Sequence, residues 1–326
     1  MKVFELPGTD IPVSAFVLGT DYYGKTISPE DAFELLDSYF SLGGRTVDTA
    51  HVYADYLPGE KHSSEKTIGR WLRESKKRQY LTICTKGGFP ELSDCSASRL
   101  GRDEVRRDLT ESLSCLGIDC VDIYWLHRDD PRRSCGEFIQ YLEDFKKEGL
   151  IRAYGFSNFG VRRMREADAW AEGAGLDPVP AVQIKWGLAK TAPGRVYDST
   201  LAEMDDEYFD YLKNSGKALF AYSAQAKGFF SKLRFAENGS PVMEPGKCRD
   251  RYYCEENIKL YRELFEEAGR LGSSAARLAL RKMLESPFPT ALILGCRNRD
   301  QLFDSIKGFD EDFDRAFGKD FSGIQT

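Results

Sequence analysis

The 326 residues include only three histidines, and the eight cysteines are scattered without a CxxC pair. A zinc site needs clustered nitrogen and sulfur ligands, so this composition predicts no metal. A disulfide framework is equally out of keeping with a chain of this length, and reduced thiols in a cytoplasmic protein are expected. No apolar run approaches the roughly 18 residues that span a bilayer. The opening MKVFELP holds no apolar signal core, so a secretory signal is not expected. Basic residues are not in excess either. Lys and Arg number 46 against 52 Asp and Glu, for a net charge of −6, which argues against nucleic acid or an anionic membrane as a partner. Proline- or serine-rich linkers and short repeats are missing, so residues 1–326 read as one domain.

What the chain does have is a recurring unit. Phe4-Glu5-Leu6 and Ile11-Pro12-Val13 flank the turn signal Pro7-Gly8-Thr9-Asp10, which predicts a short N-terminal hairpin. Phe16 to Thr20 is the first longer strand. Ser28-Pro29-Glu30 opens a helix with an N-cap serine and proline at its first position. Strand–helix pairs then follow at 46–50 and 63–75 (Ser64 as N-cap), 80–86 and 103–116, 120–127 and 134–148, and 151–156 and 160–173. Three more run 179–185 and 203–215, 217–222 and about 255–270, and 290–295 and 298–307. Eight such units predict an α/β protein with parallel strands, either an open doubly wound sheet or a closed barrel. An open dinucleotide-binding sheet would carry GxGxxG after its first strand, where this chain reads Gly19-Thr20-Asp21-Tyr22-Tyr23-Gly24. The expectation is therefore a (β/α)8 TIM barrel with a long loop, about Ala224 to Cys254, after strand seven.

A barrel gathers its chemistry at the carboxyl ends of its strands. Thr46-Val47-Asp48-Thr49-Ala50 leads into a loop carrying Tyr53, strand 80–86 stops at Lys86, and strand 120–127 stops at His127. Tyrosine is a poor acid, with an ordinary pKa near 10. A lysine ammonium beside the phenol stabilises the phenolate, a carboxylate keeps that lysine charged, and a histidine can donate to a carbonyl oxygen. An Asp, a Tyr, a Lys and a His converging in this way suit carbonyl reduction, with the reducing equivalents drawn from a cofactor.

In order and spacing, Asp48, Tyr53, Lys86 and His127 resemble the catalytic tetrad of the aldo-keto reductases. Val47-Asp48-Thr49-Ala50-x-x-Tyr53 and Ser64-Glu65-Lys66-Thr67-Ile68-Gly69 are similar to that family's segments. So are Leu109-Thr110-Glu111-Ser112-Leu113-x-x-Leu116-Gly117-x-Asp119-x-Val121-Asp122 and Gly155-Phe156-Ser157-Asn158, and the likeness covers essentially the whole chain. It implies that Tyr53 is the general acid, Lys86 lowers its pKa, Asp48 supports Lys86, and His127 polarises the carbonyl. It also implies NADPH, with NAD the alternative. Ser157, Asn158 and Gln183 would hold the carboxamide, with Tyr222 stacked on the ring and Gly19, Thr20 and Asp48 close by. Ser223, Gln225, Lys227 and Gly228 would cover the pyrophosphate. Gly295, Arg297, Asn298, Gln301 and Asp304 would meet the adenosine 2′-phosphate. Four positions depart from the family: Ala224-Gln225 follows Tyr222-Ser223 where Pro-Leu is usual, Ser305 replaces an asparagine, and Trp186 replaces a tyrosine.

Around the tetrad, Tyr22, Trp125, Arg128 and Trp186 read as substrate-facing beside Tyr53 and His127. Carboxylates, arginine and tryptophan together suit a sugar-like carbonyl compound. His51 and His62 are expected to be structural. Two other readings stand beside the reductase: a sugar oxidoreductase or epimerase that retains its cofactor, and a cofactor-sensing regulatory protein. The sequence sets no oligomeric state.

Overall fold

The computed structural model describes residues 1–195, 198–307 and 309. A hairpin of β1 (Val3–Glu5) and β2 (Pro12–Ser14) opens the chain, and the barrel begins with β3 (Phe16–Gly19). It continues through α1 (Pro29–Ser41), β4 (Thr46–Asp48), α2 (Ser63–Ser75), β5 (Thr82–Gly87) and α3 (Arg102–Leu116). Next come β6 (Val121–Leu126), α4 (Cys135–Lys147), β7 (Ile151–Ser157), α5 (Val161–Gly173), β8 (Ala181–Lys185), α6 (Asp206–Ser215) and β9 (Ala218–Tyr222). After β9 the chain forms α7 (Phe229–Lys232), a second hairpin of β10 (Arg234–Phe235) and β11 (Pro241–Val242), and α8 (Lys247–Tyr252). It ends with α9 (Glu255–Arg270), α10 (Ala275–Leu284), β12 (Thr290–Leu294) and α11 (Arg299–Ile306). Strands β3 to β9 and β12 close into a parallel barrel in which β12 pairs with both β9 and β3. The expected TIM barrel is the observed fold.

Two cores follow from the period of two along each strand. Outward residues such as Val47, Ile83, Tyr124, Val182 and Leu292 pack under the helices. Inward residues Val17, Cys84, Ile123, Trp125, Phe220 and Ile293 fill the barrel, and Leu6, Ile11 and Val13 of the hairpin close its floor. Trp125 and Phe220 meet edge-on at 4.9 Å between ring centroids. Gly155 is what admits the indole: a Cβ there would lie 2.3 Å from a Trp125 ring carbon.

The ends of the helices agree with their sequence signals in most cases. Ser28, Ser134, Asp205 and Ser274 each accept a backbone N–H in the first turn of the helix that follows. Helix α2 differs. Its N-cap is His62, at φ 57°, and Ser64 lies inside the first turn. The Ser64 hydroxyl instead donates to the Thr20 carbonyl at 2.8 Å and meets the Thr20 and Thr49 hydroxyls at 2.9 Å each. It thereby ties the ends of β3 and β4 to α2. Helix α10 was not anticipated, and the long segment after β9 is built from helical turns and a hairpin.

Candidate active site

The inward positions at the tops of β4, β5, β6 and β8 converge. Asp48 and Lys86 are buried, and Lys86 Nζ donates to Asp48 Oδ2 at 2.5 Å, to the Thr49 carbonyl at 2.8 Å and to the Tyr53 hydroxyl at 2.9 Å. Those three acceptors use all three ammonium hydrogens. Asp48 Oδ1 accepts from Gln183 Nε2 at 3.0 Å, which leaves Gln183 Oε1 as its remaining acceptor. The loop bearing Tyr53 is pinned at its start, because His51 N–H donates to the Lys86 carbonyl at 3.0 Å. The rings of Tyr53 and His127 lie 5.9 Å apart at 71°, and Phe89 packs on His127 at 4.9 Å. Asn158, at φ 64°, donates to the His127 carbonyl and accepts from Tyr222 at 2.6 Å.

Electrostatics here are set by burial. The Tyr53 hydroxyl is pushed well above its ordinary pKa, first by desolvation and then by the Asp48 carboxylate. The net direction is thus opposite to the lysine-driven lowering expected from the sequence, because desolvation dominates and the Asp48 carboxylate adds to it. Burial also drives His127 well below the usual imidazole range, with Arg128 and Lys86 adding to the shift, so its ring is neutral at pH 7.

Tyr53 and His127 sit on the wall of a cavity of about 1400 Å³. Gly19, Thr20, Tyr22, Arg128, Ser157, Asn158, Gln183 and Tyr222 line its barrel side. Ser223, Gln225, Lys227, Gly228, Gly295, Arg297, Gln301 and Asp304 line the arm running outward under α7 and α8. Most of the described non-glycine residues with positive φ gather here: Asn158, Ser223 and Lys227 line the cavity, Ala226 precedes Lys227, Ala54 and His62 belong to the Tyr53 loop, and Lys76 stands apart. Such conformations cost on the order of 1–3 kcal/mol each and cluster at ligand clamps.

Three expected contacts are corrected. Trp125 points inward one layer below His127 and is fully buried among the barrel core, so it does not reach the rim. Trp186 follows β8 on the outward side and packs near Phe288 at 6.4 Å. Asn298 caps α11, accepting from Gln301 N–H at 3.0 Å, and does not line the cavity. Two departures from the family meet each other, since Gln225 Nε2 donates to Ser305 Oγ at 3.0 Å. That bond joins the segment after β9 to α11. Lys232, Arg234 and Lys247, which with Lys227 make the long segment basic enough to close over a dinucleotide, line the arm. Phe230, Met243, Arg277 and Leu280 line it as well, and the sequence does not single them out as contacts, because how α7 and α10 fold back has no local signal. Lys227 lies close enough to Arg251, Lys247 and Arg297 for their charges to disfavour its own, adding to a burial effect that lowers its pKa. An acidic chain thus concentrates cations on this arm.

The profile of the Aldo/keto reductase family matches residues 15–324, so the chain belongs to that family. Among curated proteins it is similar to the uncharacterized oxidoreductase YrpG of Bacillus subtilis, 26% identical over 97% of this chain and 93% of that one. It is likewise similar to norsolorinic acid reductase stcV of Emericella nidulans, 25% identical over 91% and 74%. Aldo-keto reductase str7 of Strobilurus tenacellus is 27% identical over 64% of this chain, a match spanning about half of that relative at 55% of its length. Carbonyl–alcohol oxidoreduction is therefore the general chemistry of this barrel. Among the described residues, no helix is long and apolar enough to cross a membrane.

Proposed function

We propose that the protein is an NADPH-dependent reductase that converts a small polar aldehyde or ketone to its alcohol, with Tyr53 as the proton donor. The observation that carries this reading is the 2.9 Å contact between Lys86 Nζ and the Tyr53 hydroxyl at a cavity wall shared with His127. NADPH, when bound, supplies the hydride. The donor set fits a dinucleotide: Gln183 Oε1, Ser157 and Asn158 are suited to a carboxamide, and the Tyr222 ring offers a flat face beside them. Cations Lys227, Lys247 and Arg297 on the arm favour a cofactor carrying the extra phosphate, hence NADP over NAD.

Each residue then has a task. Burial keeps Tyr53 protonated at neutral pH, which is the form a reduction needs. As negative charge develops on the carbonyl oxygen, the phenol hands over its proton and the Lys86 ammonium stabilises the phenolate left behind. Asp48 holds Lys86 charged and aimed. The neutral His127 ring donates its one N–H to the same oxygen. With Trp125 and Trp186 away from the rim, sugar stacking on indole loses its basis. Arg128, Asp21 and Tyr22 still make the mouth polar, so a hydroxylated or anionic carbonyl substrate is favoured over a lipid aldehyde.

The test is quenching of NADPH fluorescence on titration, then cofactor consumption with a panel of sugar, acidic and simple apolar aldehydes. Tyr53→Phe should lose turnover and keep quenching; a variant that turns over like the wild type would remove Tyr53 as the proton donor. Turnover of apolar aldehydes alone would sink the substrate class. Tight quenching without turnover on any substrate would favour a retained or sensed cofactor instead.

A further inference from the structure

We propose that His51, His62 and Glu111 form a binding site for a divalent transition-metal ion of the zinc class, joining the Tyr53 loop to helix α3. His51 lies two residues before Tyr53, His62 precedes α2, and Glu111 projects from α3. One ligand atom from each lies within 4.8 Å of the others. The scarcity of histidine predicted no such cluster, yet two of the three in the chain meet with ring centroids 4.1 Å apart.

Hydrogen-bond accounting gives the site its character. His62 Nδ1 lies 2.8 Å from the His51 carbonyl, which can only accept, so Nδ1 carries a hydrogen and Nε2 is the nitrogen left to offer a lone pair to a metal. Nε2 lies 3.9 Å from Glu111 Oε2. His51 Nε2 approaches the same oxygen at 2.7 Å. A cation between the three satisfies all of them at once. Zinc bonds of about 2.0–2.2 Å in tetrahedral geometry separate ligand atoms by roughly 3.3 Å, and the two spacings found bracket that figure. The outer partners also fit. His62 Nδ1 is held by a backbone carbonyl, the kind of support that orients metal-bound imidazoles. Asp55 takes the His62 N–H at 2.6 Å and fixes that ring's backbone. Two imidazoles and a carboxylate suit zinc, copper or nickel over calcium or magnesium and leave a position for water. Since His51 N–H holds the Lys86 carbonyl, an ion here would stiffen the loop that presents Tyr53.

The experiment titrates metal-free full-length protein with cobalt chloride, followed by zinc chloride as competitor. The expected result is one equivalent of cobalt with d–d absorption of a nitrogen–oxygen site and no thiolate charge-transfer band, displaced by zinc. Glu111→Gln and His62→Gln should each weaken binding on the order of tenfold or more, since even outer-shell partners carry that much. Glu111 is 46% exposed, so its replacement leaves packing intact even if His62→Gln perturbs the fold. Binding that persists unweakened in Glu111→Gln, a thiolate band pointing to cysteine ligands, or no binding by the wild-type chain would each overturn the proposal.

Discussion

Replacing Asp48 by Asn tests whether the buried pair organises the site. Asp48 and Lys86 are 0% and 1% exposed, so water cannot stand in for a lost partner. The wild-type carboxylate accepts from Lys86 Nζ on one oxygen and from Gln183 Nε2 on the other. An asparagine amide offers one acceptor and two donors, so one of those contacts becomes donor against donor. The ammonium is also left buried without its counter-charge. Breaking a buried pair from one side costs about 3–5 kcal/mol, because the remaining ion is uncompensated. Equilibrium urea unfolding should find that loss in Asp48→Asn. Adding Lys86→Met removes the stranded charge, and the double variant should regain most of the deficit, since apolar replacements of buried pairs are often near neutral. Turnover should be low in both, because the single variant leaves Lys86 without the carboxylate that aims it and the double variant has no ammonium beside Tyr53. A stability loss under about 1 kcal/mol in Asp48→Asn, the size of an exposed pair, or a double variant no better than the single one, would refute this reasoning.

On the proposed mechanism, Tyr53→Phe should lower turnover by about 10²–10⁴-fold, the range for a general acid, while NADPH quenching changes little. The reduction rate should stay flat through the ordinary imidazole range, because burial keeps His127 neutral there; an inflection near pH 6.5 that disappears in His127→Gln would contradict this. Stability has the matching sign: as pH falls below about 6.5, the unfolded chain gains a proton that buried His127 refuses, so the native state weakens, and His127→Gln should flatten that decline in acid unfolding. Arg297→Ala should raise the NADPH dissociation constant by roughly 10-fold or more, the worth of a charge-assisted hydrogen bond, and leave NADH nearly unchanged; equal losses for both would remove Arg297 from the phosphate contact. Limited proteolysis within 231–250 should slow when NADPH is present, since that segment roofs the arm, and equal cleavage in both states would count against its closing over the cofactor.

Strand ends were the legible part of this chain. Apolar runs stopping at Lys86 and His127 gave both the barrel and the residues that meet inside it, because a period of two fixes which side chains point inward. The same period, applied residue by residue, would have put Trp125 two positions below His127 and Trp186 on the outward side. Only their nearness in the chain to His127 and Gln183 suggests a place at the rim. Helix α10 carries a readable signal in its N-cap Ser274 and in its buried Leu278, Leu280 and Met283, but it follows directly on α9, where the alternation of strand and helix calls for a connection. The Gln225–Ser305 bond spans 80 residues and the His51–Glu111 contact spans 60, and no local pattern announces such pairs.

The arrangement also divides its charges in a way that bears on the chemistry. Tyr53 is a neutral phenol, His127 a neutral imidazole, and Lys86 with Asp48 a pair of no net charge, so the reacting end of the cavity is close to neutral. The cations stand on the outer arm. A neutral floor neither repels an anionic cofactor nor holds the carbonyl compound more tightly than the charged species it becomes. On the proposed mechanism the Lys86 ammonium is worth most at the moment Tyr53 gives up its proton, because it then gains a second anionic partner, the phenolate 2.9 Å away, beside the Asp48 carboxylate it already holds. If the floor instead carried a standing positive charge, removing Lys86 would weaken cofactor binding as much as turnover. Lys86→Met should therefore depress kcat far more than it shifts the NADPH dissociation constant, and comparable losses in both would mean that the lysine acts mainly as a cofactor anchor.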